Sequence, residues 1–248
     1  MPVEFTSCSY RHRRGPVVLD GLDLRLPAGR TVLLGPNGAG KSTLLSLAAS
    51  ALRPQRGSVR YDGLDPADRR SRGAYRRRVG WLPQAVQVMP RATAREQVAY
   101  AGWLKGMARR AAWDAAGQAL ERVGLTAEAD RGAGALSGGQ LRRVGIAQAL
   151  VHSADLILMD EPTAGLDPRQ RVVFREVVRE LSTRHVVVST HQTDDLDELF
   201  DHVVVLEQGQ VRFLGTVAEF GRLAASGTPA PRRAEAAYGE LLRDGAGR

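Results

Sequence analysis

The sequence predicts an α/β fold: a parallel sheet covered by helices, with a smaller antiparallel sheet beside it. Three observations carry this. Short, continuously apolar runs such as TVLLG (31–35), within ADLILMDEP (154–162) and within HVVVSTH (185–191) have the character of strands buried on both faces. Stretches of helical length and pattern alternate with them, as parallel strands require. Half-buried alternation, as in LDLRL (22–26), belongs to the early part of the chain, where extra strands argue for an antiparallel piece.

Taken in order, residues 17–35 hold two strands broken by PAG. KSTLLSLAASAL (41–52) predicts a helix that RPQRG ends. GSVRYDG (57–63) is a short strand between turn signals, and RRVGWLPQ (77–84) carries another that stops at Pro83. From Thr93 to about Val123 the chain is alanine-rich and helical. It opens on a capping box, TARE (93–96), in which the Thr93 hydroxyl accepts from the Glu96 amide and Glu96 reaches back. SGGQLRRVGIAQAL (137–150) predicts a helix with a glycine-rich cap, and the strand at 154–162 ends in two acids. RQRVVFREVVREL (169–181) is an amphipathic helix. HVVVSTH (185–191) and HVVVLEQGQVRFLG (202–215) are late strands. The tail holds SGTPAP (226–231), a loop or linker, and then a short helix. There is no internal repeat.

The 248 residues suit one large domain, or one domain with a subdomain, and 43% hydrophobic content supplies an ordinary core. No apolar run approaches a membrane span, and the first 15 residues lack a secretory signal. The single cysteine, Cys8, allows no internal disulfide and fits a reducing cytoplasm. The net charge is +8, and all but two of the 35 basic residues are arginine. These lie in short scattered runs with no interleaved aromatics, so they read as solvated faces rather than a nucleic-acid platform.

Three motifs carry chemistry. GPNGAGKST (35–43) meets G-x-x-x-x-G-K-[ST] at Gly35, Gly40, Lys41 and Ser42, with a strand before it and a helix after it. Backbone amides of Gly38, Gly40, Lys41 and Ser42 can converge on phosphate oxygens, helped by the helix N-terminus. Lys41 is placed to bridge β and γ phosphates, and the Ser42 hydroxyl to bind Mg²⁺. LILMDE (156–161) ends a buried strand in two carboxylates, which is costly unless a cation or a reaction needs them. Asp160 suits the Mg²⁺ of a nucleotide and Glu161 an attacking water. LSGGQ (136–140) opens a helix with a serine cap and two glycines, a second anion site. Two anion sites with one lysine loop make sense if one of them serves a second copy of the chain.

With these motifs in order, the chain resembles the nucleotide-binding subunit of an ATP-binding cassette (ABC) transporter over roughly residues 3 to 220. GPNGAGKST matches Walker A, Gln84 the Q-loop, LSGGQ the signature, LILMDEP Walker B, AGLD (164–167) the D-loop and His191 the switch histidine. Tyr10 falls where the family places an adenine-stacking aromatic residue, although RHRRG after it is unusually basic. The resemblance implies a RecA-like P-loop NTPase core with an antiparallel β subdomain and a helical subdomain near 85–150, the ABC ATPase domain filling 1–220 and the tail 221–248.

It implies ATP and Mg²⁺ as ligands. The nucleotide would be held by Tyr10, Gly35, Asn37, Gly38, Gly40, Lys41, Ser42, Thr43 and Gln84, and from a partner subunit by Ser137, Gly138, Gly139 and Gln140, with Asp167 at the dimer seam. Ser42, Gln84 and Asp160 would serve the metal. Glu161, His191 and Lys41 would carry catalysis. It further implies a homodimer, a transmembrane permease subunit as partner, no nucleic acid, and a cytoplasmic position on the inner face of the membrane. LSGGQLRRVGIAQAL, EPTAGLDP and GQVRFLGT resemble export-type cassettes more than nutrient importers. An importer subunit and a non-transport ATPase are the alternatives.

Overall fold

The computed structural model describes residues 3–181, 184–193, 196–225, 227–229 and 232–245. Part of the SGTPAP stretch, residues 226, 230 and 231, lies outside the described residues.

The N-terminal strands β1 (Val3–Arg11) and β2 (Val17–Leu26), with β4 (Arg56–Tyr61), form an antiparallel sheet in the order β2-β1-β4. Its buried face is read by alternation: Val3 and Phe5, Leu22, Leu24 and Leu26, Val59 and Tyr61. On β1 the alternation slips after Phe5, because a bulge at Ser7 (φ 45°) shifts the register and turns Cys8 inward instead.

The larger sheet has the order β5-β6-β7-β3-β8-β9, from β5 (Val79–Leu82), β6 (Leu156–Asp160), β7 (His185–Thr190), β3 (Arg30–Leu34), β8 (His202–Glu207) and β9 (Gln210–Thr216). Every pair is parallel except β8 with β9. The parallel strands are covered on both faces and almost wholly apolar, whereas β9 at the edge has no buried residue. Val32, Ile157, Met159, Val186, Val188, Val203 and Val205 face one apolar cluster. Leu33, Leu156, Leu158, Val187, Val204 and Leu206 face the other, shared with the antiparallel sheet and α1 (Lys41–Ala48). The first cluster is closed by α3 (Ala94–Leu104), α4 (Arg109–Arg122), α5 (Gly138–Leu150) and α6 (Pro168–Glu180).

Four expectations are refined. The late strand at 202–215 is a hairpin: Gln208 (φ 48°) and Gly209 (φ 77°) make a two-residue turn of the kind that suits twisted strands. Gly209 is also obligatory for contact, since a Cβ there would lie 2.0 Å from the Val18 carbonyl oxygen. The helical stretch 93–123 is two helices, broken beside Gly106 in the left-handed region (φ 95°). The helix after the phosphate loop stops at Ala48, short of residue 52. The strand expected at 77–84 is only four residues long, because 72–78 form α2 (Arg72–Arg78), whose single buried side chain, Tyr75, gives little periodicity to read. The Tyr75 hydroxyl donates to the Ala48 carbonyl (2.5 Å) and so joins α2 to α1.

After β7 come α7 (Leu196–Leu199), α8 (Val217–Gly221) and α9 (Arg233–Gly245). Ala237 of α9 is buried in the same cluster as Val217 and Phe220 of α8. Among the described residues no helix is long and apolar enough to cross a membrane.

Candidate functional site

Three adjacent strands, β6-β7-β3, end on the same side of the sheet, and their C-terminal ends deliver Asp160, His191 and the phosphate loop to one place. Ligands of parallel sheets bind at such carboxyl ends. A cavity of about 360 Å³ opens there, lined by residues 36–43 of the loop and by His12, Val18, Gln84 and Glu161.

The loop is built for a ligand that approaches backbone. A Cβ on Gly35 would sit 2.2 Å from the Leu206 carbonyl oxygen, so the strand can leave the sheet this tightly only with glycine. Gly40 (φ 103°) is the N-cap of α1, with no side chain capping the helix and no acid in its first turn. The first amides of α1 and its dipole therefore face the cavity unanswered, an anion site by construction. Lys41 is 7% exposed, and its Nζ donates to the carbonyls of Gly35 (2.6 Å) and Pro36 (3.1 Å). Burial lowers its pKa, opposed by the charges of Glu161 and Asp160. Asn37, Gly38 and Ser42 are exposed, and Thr43 is buried beneath them.

The two adjacent carboxylates part company at the end of β6. Asp160 is 2% exposed and accepts from the Ser189 hydroxyl (2.5 Å). Glu161 is in the left-handed region (φ 48°), a strained conformation for a residue with a Cβ. The strain is held by its amide, which donates to the carbonyl (3.1 Å) and hydroxyl (3.0 Å) of Ser189. Its carboxylate turns into the cavity, 3.2 Å from Nδ1 of His191. The His191 ring is more than half exposed at the end of β7.

Gln84 follows β5 and lines the cavity. What fixes its backbone is Arg142 of α5, a residue the sequence reading passes over. Arg142 is 6% exposed and donates to the carbonyls of Pro83 (2.6 Å), Gln84 (2.8 Å), Pro162 (3.3 Å) and Asp160. One guanidinium thus joins the signature helix, the Q-loop and the end of β6. Burial lowers its pKa, with Asp160 and Glu161 acting the other way. A guanidinium keeps its charge regardless.

The signature stretch lies elsewhere. None of residues 136–140 lines the phosphate-loop cavity. Ser137 caps α5: its hydroxyl accepts from the Gln140 amide, and Gln140 Oε1 accepts from the Ser137 amide (3.0 Å), completing a capping box. Gln140 Nε2 then reaches Glu128 (3.2 Å). Gly138 is exposed and Gly139 half-buried. A Cβ on Gly139 would come within 2.4 Å of Gln170 Oε1, on the first turn of α6. Asp167 caps that helix by accepting from the Gln170 amide (2.8 Å). Signature and D-loop are therefore neighbours within one chain, both apart from its phosphate loop.

Tyr10 does not line the cavity. It packs on the antiparallel sheet's core, edge-on to His12 (4.9 Å, 84°). His12 is the aromatic ring that does line it, 3.2 Å from the Thr43 hydroxyl. The unusually basic RHRRG after Tyr10 was the only departure visible here in the sequence.

Comparison with known proteins decides the family. Residues 19–164 match the family model described as ABC transporter, more than half of the chain. The chain belongs to the ABC transporter family. It is 38% identical over 217 residues to the daunorubicin/doxorubicin resistance ATP-binding protein DrrA of Streptomyces peucetius, covering 86% of this chain and 65% of that protein. It is 37% identical over 212 residues to the Nod factor export ATP-binding protein I of Burkholderia lata (84% and 69%). It is also 37% identical over 214 residues to the phosphate import ATP-binding protein PstB 2 of Natronomonas pharaonis (79% and 74%). The chain thus spans between 65% and 74% of the length of these relatives. Among solved structures it is similar to the dimeric post-hydrolysis state of the ATP-binding cassette MJ0796 bound to ADP and Pi, with TM-score 0.78, 26% identity and coverage of 87% and 98%. The fold is the ABC ATPase fold, and the chain is an ATP-binding subunit with ATPase activity.

Proposed function

We propose that two copies of this chain close head to tail around two ATP molecules and drive export through a separate membrane permease. The observation that carries this is the split site: the phosphate loop, Gln84 and Glu161 share one cavity, while signature residues 136–140 take no part in it. A glycine-flanked helix N-terminus left outside its own chain's cavity is suited to close the γ-phosphate face of another copy. The contact would be isologous, with Ser137, Gly138, Gly139 and Gln140 of each chain facing the phosphates held by the other and Asp167 at the seam.

Within each site the loop amides and Lys41 hold the phosphates, and Gly35, Asn37, Gly40 and Thr43 shape the loop. The donor set fits Mg²⁺: Asp160 is a carboxylate buried against a single hydroxyl, Ser42 is an exposed hydroxyl and Gln84 an exposed amide. Mg²⁺ takes few protein ligands and completes its shell with phosphate and water. When bound, it neutralises phosphate charge. Glu161 polarises the attacking water, and His191, beside it, orients that carboxylate and the γ-phosphate. Tyr10 and His12, as an edge-on pair beside the loop, are the aromatic candidates for the base of ATP.

Export is favoured by likeness to the Nod factor export protein and by the motif pattern, against one importer of similar identity. The ATPase would then lie on the cytoplasmic face of the membrane. The permease would dock on residues 84–105, and cysteine cross-linking from Val88, an exposed position, would capture it in native membranes. The catalytic reading is tested with Glu161→Gln, which should bind ATP as the wild type does, lose hydrolysis by about two orders of magnitude or more, and accumulate as an ATP-bound dimer. Normal turnover would remove Glu161 from the mechanism.

A further inference from the structure

Most arginines of this chain that make ion pairs do so across the fold, as in Arg30 with Asp201, Arg78 with Asp62, Arg122 with Glu180 and Arg179 with Glu198. One group does not. Arg53 follows α1, Arg69 precedes α2, and Arg72 and Arg76 lie one turn apart on α2. Scattered in sequence, they meet in the fold: the charges of Arg53, Arg76 and Arg69 all act on Arg72, whose pKa is lowered by desolvation and then by these three, with Asp68 the only acid opposing them. Arg72 donates to the carbonyls of Pro66 (2.9 Å) and Ala67 (3.0 Å), and Arg76 to the hydroxyl (3.2 Å) and carbonyl (3.3 Å) of Ser50. These neutral partners fix the two guanidiniums and leave their charge whole. Arg53, Arg69 and Arg77 are exposed and make no hydrogen bond or ion pair from their side chains among the described residues.

The patch has a defined neighbour. Lys105 Nζ donates to the carbonyls of Arg76 (2.8 Å) and Val79 (2.7 Å), and Arg77 lies against Gly106. The end of α3 is thereby fastened to the end of α2. Lys105 also lines a groove of about 280 Å³ with Trp81, Pro83, Val86 and Leu104, inside the region assigned above to the permease. Leu104, 61% exposed, lines that groove, and Trp103, 47% exposed, lines the neighbouring groove with Tyr100 and Trp113.

We propose that Arg53, Arg69, Arg72, Arg76 and Arg77 form a docking surface for the phosphate headgroups of an anionic membrane leaflet, with Trp103 and Leu104 at its edge. Unpaired guanidiniums without interleaved aromatics suit a sheet of phosphodiesters, and exposed apolar side chains at the end of α3, which Lys105 fastens to α2, suit the headgroup boundary. The surface rests on the permease reading only for its orientation. It would hold the ATPase against the bilayer beside its partner and add affinity that the protein contact alone lacks.

The test is flotation of the purified full chain, without any permease, on phosphatidylcholine vesicles with and without phosphatidylglycerol, at low and at physiological salt. Binding should require phosphatidylglycerol and weaken with salt. The triple variant Arg53→Gln, Arg69→Gln, Arg77→Gln, which removes no internal bond, should lower vesicle partitioning on the order of a hundredfold, at about fivefold per charge. A control with the same charge change, Arg25→Gln, Arg131→Gln, Arg222→Gln, should keep most of the binding. Absent vesicle binding, or equal loss in both triples, overturns the surface while leaving the permease cross-link from Val88 intact. Duplex DNA competing the protein off vesicles through the same three arginines would reassign it to nucleic acid. Competition by free glycerol phosphate would reassign it to a small anion.

Discussion

Replacing Arg142 with leucine should cost stability and activity together. The side chain is 6% exposed and its guanidinium answers four carbonyl oxygens, those of Pro83, Gln84, Asp160 and Pro162. Hydrogen bonds from a charged donor contribute about 1.5–3 kcal/mol each, and orphaned buried acceptors cost about 1–3 kcal/mol. The four bonds share one group and one loop, so they do not add. A total of about 3–5 kcal/mol is the scale for losing one member of a buried ionic network. That is a large share of a stability of about 5–15 kcal/mol, and at about 2–4 °C per kcal/mol it lowers the melting temperature by about 10 °C. Arg142→Lys keeps the charge but not the fork, so it should fall between. Calorimetry of the three proteins reads this directly. ATP hydrolysis below the melting range should drop further than folding explains, because Gln84 loses its backbone anchor. If the leucine variant melts within about 1 °C of the wild type, the network does not hold the site and the reasoning is wrong.

Two further outcomes follow from the same geometry. Lys41→Ala should weaken ATP binding by about tenfold or more, the scale of a charge-assisted bond, and abolish turnover; nucleotide titration and an ATPase assay check it, and wild-type turnover would remove the phosphate-loop reading. His152 follows α5 with Nε2 on the Val79 carbonyl (3.3 Å) and Nδ1 without a partner, so it is held neutral, and burial, then Lys105, lower its pKa to about 4 from 6.5. The unfolded chain therefore binds the extra proton first, and stability is whole above pH 6.5 and declines as pH falls toward 4, by up to about 3 kcal/mol. Denaturant titrations across that window should show the slope in wild type and a flatter one in His152→Gln; equal slopes would mean the ring is not buried as described.

What the sequence disclosed is what depends on near neighbours. The caps at Thr93 and Ser137 and the carboxylates closing β6 are set by residues three or fewer apart, and the phosphate loop by residues no more than seven apart, so their spacing can be read directly. The sheet's parallel strands were legible because burial on both faces leaves them apolar. Arg142 was not, because its partners lie 18 to 59 positions away and an arginine beside another arginine looks like a solvated face. His12 was hidden among the arginines of RHRRG, where nothing local shows which side chain turns into the cavity. The hairpin after β8 was marked only by Gln208–Gly209, and the break between α3 and α4 only by Gly106. The arginine patch is the plainest case, since Arg53 and Arg76 are 23 residues apart and neither is remarkable in its own run.

The central claim is that each ATP site is shared by two chains. Ser137→Arg places bulk where the neighbour's γ-phosphate would sit, and Lys41→Ala empties the phosphate loop. Each variant alone should be inactive, since every site in its homodimer carries the lesion. In an equal mixture half of the dimers are mixed, and each of these has one site with both lesions and one with neither. The ATPase rate of that mixture is the decisive measurement. A shared site predicts recovery to about a quarter of the wild-type rate if a lone intact site turns over independently. Wild-type hydrolysis by Ser137→Arg alone, at a dilution that keeps it monomeric, would show the site to be complete within one chain and contradict the account.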